Sequence, residues 1–248
     1  MERIPRDPPA LAAALRANTT ALDAAIDRWL ASGGERTPGG VTLRALYHQR
    51  IHILLSDRPR LARAAIALLP RRLAAEARDL VAARRALVRL TPPTRRRRFR
   101  TGRALPAKRL LGYYRQAERR FGVSRRVLAA VNLVESAFNR LRSHSTAGAR
   151  GPMQFLPATW RTYGLGGDVD DPHDAILGAA NYLHASGAPR SYRRALYSYN
   201  PSRLYVDAVL RYARAIRRDS RAYYVLQSWQ VFVRTAHGLR RLTGPRPR

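Results

Sequence analysis

No cysteine occurs in the 248 residues. Disulfide frameworks, thiolate zinc sites and cysteine nucleophiles are therefore excluded. Carboxylates are scarce, with 16 Asp and Glu against 47 Lys and Arg, for a formal charge of +31. Lysine is nearly missing as well, since Lys108 is the only one and every other base is arginine. No apolar run approaches the ~20 residues needed to span a bilayer. The stretch Met1-Glu2-Arg3-Ile4-Pro5-Arg6-Asp7-Pro8-Pro9 has no charged segment feeding an apolar one, so no standard export signal is visible. What remains is globular: a 46% hydrophobic content with 25% charged residues rules out a wholly disordered basic tail. The length suits one or two domains with a buried core.

A charge of +31 first suggests a nucleic-acid binder, because each neutralised phosphate releases counterions. Its distribution argues otherwise. Both halves of the chain are basic, yet residues 127–189 hold four arginines (Arg140, Arg142, Arg150, Arg161) and five acids (Glu135, Asp168, Asp170, Asp171, Asp174). A phosphate-gripping surface should not lose its charge where the sequence is most distinctive, so no specific nucleic acid is expected. The positive charge reads as a general cationic shell that favours anionic surroundings such as wall polymers, membranes or nucleic acid.

Apolar spacing predicts a mainly α fold. Helices are expected near 10–30, 42–55, 60–69 and 71–90, which make residues 1–90 a basic, Ala/Arg-rich helical region. Within it, His48 and His52 have the i, i+4 spacing of a metal pair, but no third ligand is apparent and a structural or solvated pair is expected. Thr91-Pro92-Pro93-Thr94 followed by Arg95-Arg96-Arg97-Arg98 combines a proline pair with four like charges, so residues 91–105 read as a linker. Further helices are expected near 106–121, 124–137, 157–163, 174–186, 191–199 and 202–218, giving a second helical unit over 106–219. Residues 220–248 form a C-terminal extension. There the aromatic and β-branched run Tyr223 to Val233, the turn Ala236-His237-Gly238, then Leu239 and Leu242 suggest a short β-hairpin.

The helix after Ser124, a good N-cap, has its apolar positions at Val127, Leu128, Val131 and Val134. Glu135 lies four residues beyond Val131 and eight beyond Val127, so a carboxylate is aimed along the apolar stripe near the helix C-terminus. Burial and the negative end of the helix dipole both raise its pKa. A carboxyl that keeps its proton near neutral pH is what general-acid cleavage of a glycosidic bond needs. The competing reading is a Glu paired with Arg140 or Arg142, or one reaching solvent. The polar and small residues that follow, with Gln154 offering an amide donor and acceptor, suit an N-acetyl group but equally suit an ordinary turn.

Taken together, Glu135-Ser136-Ala137-Phe138-Asn139, Ser145 with Ala147-Gly148-Ala149, and Gly151-Pro152-Met153-Gln154 followed by Pro157-Ala158-Thr159 resemble the soluble-lytic-transglycosylase (SLT) domain of the lysozyme-like superfamily. Asp171-Pro172, Ala175-Ile176, Ala179-Ala180, Tyr182-Leu183, Tyr199-Asn200 and Tyr205-Val206 continue the pattern, which covers about residues 110–216. The resemblance implies a lysozyme-like helical catalytic domain over 106–219. In it Glu135 is the sole catalytic acid/base, and Ser145, Met153, Gln154, Tyr199 and Asn200 line a glycan cleft with Tyr205 nearby. Tyr199 is expected to hydrogen-bond near Glu135. The chain departs from the usual run in a longer segment before Ser145, in Pro152 at a position often Leu, and in Pro201-Ser202 after Asn200.

The other carboxylates in this region read as caps or solvated loop groups: Asp171 as an N-cap, Asp174 as a first-turn partner, Asp168 and Asp170 in a Gly-rich loop. That leaves a single-carboxylate route, which the resemblance makes a lytic transglycosylase cutting the N-acetylmuramic acid–N-acetylglucosamine β-1,4 bond of peptidoglycan to 1,6-anhydromuramoyl ends. No metal or organic cofactor is expected, the partner is the peptidoglycan glycan strand, and the place of action is extracytoplasmic. A hydrolytic muramidase of the same fold, a basic nucleic-acid-binding helical protein and a wall-binding module without turnover stand as alternatives.

Overall fold

The computed structural model describes residues 3–95 and 98–245. The middle of the arginine run, residues 96 and 97, lies outside the described residues. Eleven helices and one hairpin follow in order among them. The first four are α1 (Pro8–Ala31), α2 (Gly39–Asp57), α3 (Pro59–Ala67) and α4 (Arg71–Leu90). Then come α5 (Ala107–Phe121), α6 (Arg125–Ser136), α7 (Pro157–Tyr163), α8 (Pro172–Ala185), α9 (Tyr192–Tyr199), α10 (Arg203–Arg218) and α11 (Arg221–Gln227). Strands β1 (Phe232–Thr235) and β2 (Gly238–Arg241) pair antiparallel, with Phe232 opposite Arg241 and Thr235 opposite Gly238. The fold is thus mainly α with a C-terminal hairpin, as the apolar spacing predicts.

Local chemistry sets the helix ends. The Asp7 side chain accepts from the Ala10 N–H to start α1, Asp171 accepts from His173 and Asp174 to start α8, and Ser202 accepts from Tyr205 to start α10. Gly122 stops α5 in the left-handed region at φ +69°. One expectation is corrected: the aromatic run from Tyr223 is not strand at its start, because residues 221–227 form α11. Ala222, Tyr223, Tyr224, Val225, Leu226 and Gln227 are all buried, and a segment covered on every side suits a short core helix rather than a two-faced hairpin strand.

A single apolar core joins the two ends of the chain. It runs from Leu22 and Ile26 on α1, through Val41 on α2 and Leu80 on α4, to Tyr114, Leu128, Ile176, Val209 and Trp229. A smaller cluster around Leu11, Leu15, Ile51, Leu55 and Ile66 fills the space between α1, α2, α3 and α4. The segment 91–105 is tied down as well. The Thr94 N–H bonds the Arg234 carbonyl at 2.8 Å, the Gly102 N–H bonds the Arg140 carbonyl at 2.9 Å, and the Arg142 N–H bonds the Arg100 carbonyl at 2.8 Å. The last two contacts lie next to the turn that follows Glu135, so this segment supports the site.

Helices α4 and α10 also share a polar clasp. Asp79 is 8% exposed and takes Arg211 at 3.3 Å, Arg214 at 2.9 Å and Arg218 at 3.0 Å. Burial alone would raise its pKa, but hydrogen bonds and charge from Arg214 and Arg218 outweigh it and hold the carboxyl below its ordinary value. This stabilisation is present above the ordinary carboxylate pKa and is lost as pH falls through the depressed one. Asp79→Ala should lower stability by about 2–3 kcal/mol at pH 7, less than the 3–5 of a fully buried pair because the arginines keep contact with water. Urea unfolding of the two proteins checks this, and the difference should shrink in acid.

Candidate active site

Glu135 sits one residue before the end of α6, whose N-terminus is capped by Ser124 accepting from the Arg126 N–H. After Ser136 the chain reverses through three successive left-handed residues, Ala137 (φ 51°), Phe138 (φ 60°) and Asn139 (φ 65°). Without glycine, each costs on the order of 1 kcal/mol or more. Several contacts offset that strain. The Phe138 ring is fully buried, the Phe138 N–H bonds the Asn132 carbonyl at 3.2 Å, and the Leu141 N–H bonds the Ser136 carbonyl at 2.9 Å. The Asn139 N–H bonds Ser136 Oγ at 2.8 Å. The turn fixes the last helical residues, and Glu135 with them.

A buried polar strap joins α6 to the loop before α7. Tyr114 donates to Asn132 Oδ1 at 2.6 Å, while Asn132 Nδ2 and Ser136 Oγ both donate to the Pro152 carbonyl, at 2.8 and 2.6 Å. The Tyr199 hydroxyl donates to the next carbonyl, Met153, at 2.6 Å. Within the loop, Arg150 and Phe155 form a two-residue bridge. Gly151 takes φ +72°, and a Cβ there would lie 1.8 Å from the Val169 carbonyl oxygen. Only glycine fits that approach.

The Glu135 carboxyl is partly buried and, among the described residues, has one hydrogen bond, from the Tyr205 hydroxyl to Oε1 at 2.6 Å. Burial pushes its pKa up from 4.5 to about 7, and the Tyr205 bond pulls the other way. Burial, with the Glu135 charge beside them, raises the Tyr199 and Tyr205 hydroxyls well above the phenol value, so both keep their protons and act as donors. Neither arginine that could have neutralised Glu135 does so. Arg140 donates to the Ala137 carbonyl, and Arg142 donates to the carbonyls of Asn139 and Arg103.

The sequence-predicted residues fall into two groups. Glu135, Tyr205, Tyr199 and Met153 are linked by hydrogen bonds and by stacking of the Tyr199 and Tyr205 rings at 6.5 Å. The Tyr199 hydroxyl makes its hydrogen bond to the Met153 carbonyl, close enough to Glu135 to feel its charge. Met153 itself is fully buried and supplies a carbonyl, not a side-chain surface. Gln154 is left-handed (φ 51°) and its Nε2 donates back to Gly151. Ser145 is exposed, and its Oγ accepts from the Ala149 N–H inside its own loop. Asn200 ends α9, and among the described residues its side-chain amide has no hydrogen-bond partner.

Asp171 caps α8, Asp174 in its first turn accepts from the Asp168 N–H, Asp168 accepts from the Asp170 N–H, and none of these carboxylates perturbs Glu135. Asp171, His173 and Asp174 lie close enough together to share an ion, but Asp171 is exposed and spent on the cap, and His173 and Asp174 are paired with each other. The His48–His52 pair is buried and acquires no third ligand among the described residues.

Sequence reading missed two features. Asn132 and Ser136 form the strap, for which a polar residue at i−3 and another at i+1 from Glu135 were the only signal. A cavity of about 200 Å³ also adjoins Glu135, with Gln49, Arg84, Tyr212 and Trp229 on its wall, and no local pattern announces it.

A carboxyl with its pKa raised from 4.5 to about 7 binds its proton about 3 kcal/mol more favourably when folded than unfolded. Folded-state stability therefore falls as pH rises from about 4.5 to about 7 and is level beyond. Glu135→Gln lacks that loss, so it should be the more stable protein at pH 8 by up to about 3 kcal/mol. The gain should vanish near pH 4 in matched urea titrations.

Residues 112–220 match the family model described as the transglycosylase SLT domain. Comparison with curated proteins and with solved structures gives no match. The matched segment contains Glu135, the strap residues and every other residue of the candidate site, whereas Gln49, Arg84 and Trp229 lie outside it. Proteins of this family are typically peptidoglycan lytic transglycosylases, and the segment 112–220 of the chain is similar to the transglycosylase SLT domain.

Proposed function

We propose that the protein is a peptidoglycan lytic transglycosylase in which Glu135 is the single acid and base. The observation that carries this reading is a carboxyl with its pKa raised to about 7, bonded to one tyrosine and free of any ion pair among the described residues. At neutral pH a substantial fraction holds a proton ready for a leaving oxygen.

The reaction begins when Glu135 protonates the glycosidic oxygen as the bond to C1 of the N-acetylmuramoyl residue breaks. The carbonyl oxygen of that sugar's 2-acetamido group bonds to C1 and holds the developing positive charge, the substrate-assisted route known for other glycosidases. Glu135, now ionised, takes the proton from the C6 hydroxyl. O6 then bonds to C1, the bond to the acetamido oxygen breaks, and Glu135 is again protonated. No water is consumed, and the product carries a 1,6-anhydro end. Tyr205 steadies the carboxylate between the two proton transfers, because its hydroxyl bond favours the ionised form.

Gln154 and the unpartnered amide of Asn200 are proposed to orient the acetamido group. Ser145, the Met153 carbonyl and Tyr199 complete the glycan cleft. The substrate belongs outside the cytoplasmic membrane, and the cationic surface would hold the enzyme near anionic wall polymers in a salt-dependent way. Among the described residues no helix is long and apolar enough to cross a membrane.

Wild type and Glu135→Gln on purified sacculi test the proposal. The variant should release soluble fragments at least a hundredfold more slowly, and wild-type fragments should be lighter by one water than hydrolysed ones in mass spectrometry. Reducing ends would replace this reading by a muramidase, and undiminished release by Glu135→Gln would remove Glu135 from the chemistry. Tyr205→Phe supplies the pH test. Wild-type turnover should decline above about pH 7, and losing the tyrosine bond should move that decline to higher pH while lowering kcat.

A further inference from the structure

The cavity beside Glu135 is built mostly by parts of the chain outside the SLT segment. Gln49 of α2 and Arg84 of α4 form one side, and Trp229 and Gln230 before the hairpin form another. Tyr212 of α10 lines it as well, and the end of α6 brings Glu135 to its edge. Two reciprocal bonds hold the walls together: Gln49 Nε2 donates to the Gln230 carbonyl at 2.8 Å, and the Gln230 N–H donates to Gln49 Oε1 at 2.8 Å.

Two donors on this wall have no acceptor. Arg84 Nε is buried without a partner, and so is Nε1 of Trp229, a residue only 6% exposed. Among the described residues Arg84 forms no ion pair. Burial lowers its pKa below the ordinary guanidinium value, the charge of Arg234 acts in the same direction, and Tyr212 and Asp57 oppose them. His48 and His52 lie tilted against the Trp229 ring and burial keeps them neutral, so of the residues lining the cavity Arg84 is the one that brings positive charge. Buried donors without acceptors are rare in folded proteins, and a planar guanidinium and an indole N–H carried by the lining of one cavity match the oxygens of a carboxylate. At about 200 Å³ the space is below the ~300–1,000 Å³ of pockets that enclose whole ligands. It suits one substituent.

We infer that Arg84 and Trp229 form a subsite for a carboxylate carried on the muramoyl substituent of the glycan. The inference rests on the function proposed above. In the glycan, N-acetylmuramic acid is the sugar that bears an acidic side branch, and that branch leaves the ring whose C1 reacts at Glu135. The carboxylate has two sources: the free lactyl group of a peptide-free strand, or an acidic residue of the attached peptide. The N-terminal helices and the hairpin lead thereby contribute substrate selection to a domain whose chemistry lies elsewhere.

The test uses binding, so it reads out independently of turnover. The full chain carrying Glu135→Gln is titrated by calorimetry with three soluble muramoyl oligosaccharides: peptide-free, peptide-free with the lactyl group converted to its amide, and peptide-bearing. Adding Arg84→Met should weaken binding of a carboxylate-bearing ligand about tenfold to a hundredfold and leave the amide unchanged. A loss on the peptide-free acid locates the partner at the lactyl group; a loss confined to the peptide-bearing ligand locates it on the peptide. Trp229→Phe, which keeps the ring packing, should cause a smaller loss with the same selectivity, and Arg84→Lys should restore part of the affinity. Equal loss on acid and amide, no loss on any ligand, or no binding at all overturns the subsite. Matching thermal unfolding of the variants separates these results from misfolding. Failure of Glu135 in the sacculus assay would overturn the enzymatic reading instead, with these titrations still readable.

Discussion

The proposed chemistry of this molecule depends on withdrawing one carboxyl group from water while denying it a cation. In a chain with 47 basic residues that denial is the harder half of the task, because a guanidinium beside Glu135 would hold it ionised at neutral pH. Arg140 and Arg142 are near in sequence, yet their guanidinium groups are committed to backbone carbonyls. The left-handed turn at Ala137, Phe138 and Asn139 makes this arrangement, since it presents carbonyls to both arginines while anchoring Phe138 in the core. A regular helix through the same residues would satisfy those carbonyls internally and leave the arginines free to seek the carboxylate. Strain in the turn and neutrality at Glu135 are thus two aspects of one local fold.

The rigidity behind the carboxyl comes from a different source. Asn132 and Ser136 lie on either side of Glu135 along α6 and both reach the Pro152 carbonyl. Tyr114 fixes the orientation of Asn132 by donating to its Oδ1. Each buried polar group in this chain of bonds has a partner, which makes the network stabilising rather than a liability. It also sets the height of the 150–155 loop over the helix end, and so the position of Gln154. Tyr199 repeats the device one residue later through the Met153 carbonyl. The loop is held by its backbone at consecutive residues, and such fixing is what a site needs when it has one reacting group to aim.

Helical periodicity made most of the architecture legible. Leu11, Leu15, Leu22 and Ile26 mark the buried face of α1, and Val127, Leu128 and Val131 that of α6. Glu135 was legible because it breaks the rule its own helix sets, a charged residue continuing an apolar stripe. Tyr205 was visible only as part of a motif, and its hydrogen bond to Glu135 spans 70 residues of sequence. Periodicity fails where burial is complete. Tyr223 to Gln227 is covered on all sides, so neither a two-fold nor a 3.6-fold pattern survives to separate helix from strand. The cavity was invisible for a further reason: Gln49, Arg84 and Trp229 meet only after α2, α4 and the hairpin lead pack together, and each alone reads as an ordinary surface or core residue.

That packing bears on how the chain is organised. Residues 1–90 share a continuous apolar core with α10, α11 and Trp229, and the Asp79 clasp adds a charged seam along α4 and α10. Helix α10 is the common element. Its first turn delivers Tyr205 to Glu135, its middle delivers Tyr212 to the cavity, and its last two turns carry the arginines that grip Asp79. A shift of α4 against α10 would therefore move the wall of the cavity and the tyrosine on the acid together. The contact of α4 with α10 therefore ties the basic N-terminal helices to the element that carries Tyr205 and Tyr212, a specific packing that attraction of an anionic polymer by charge alone does not need.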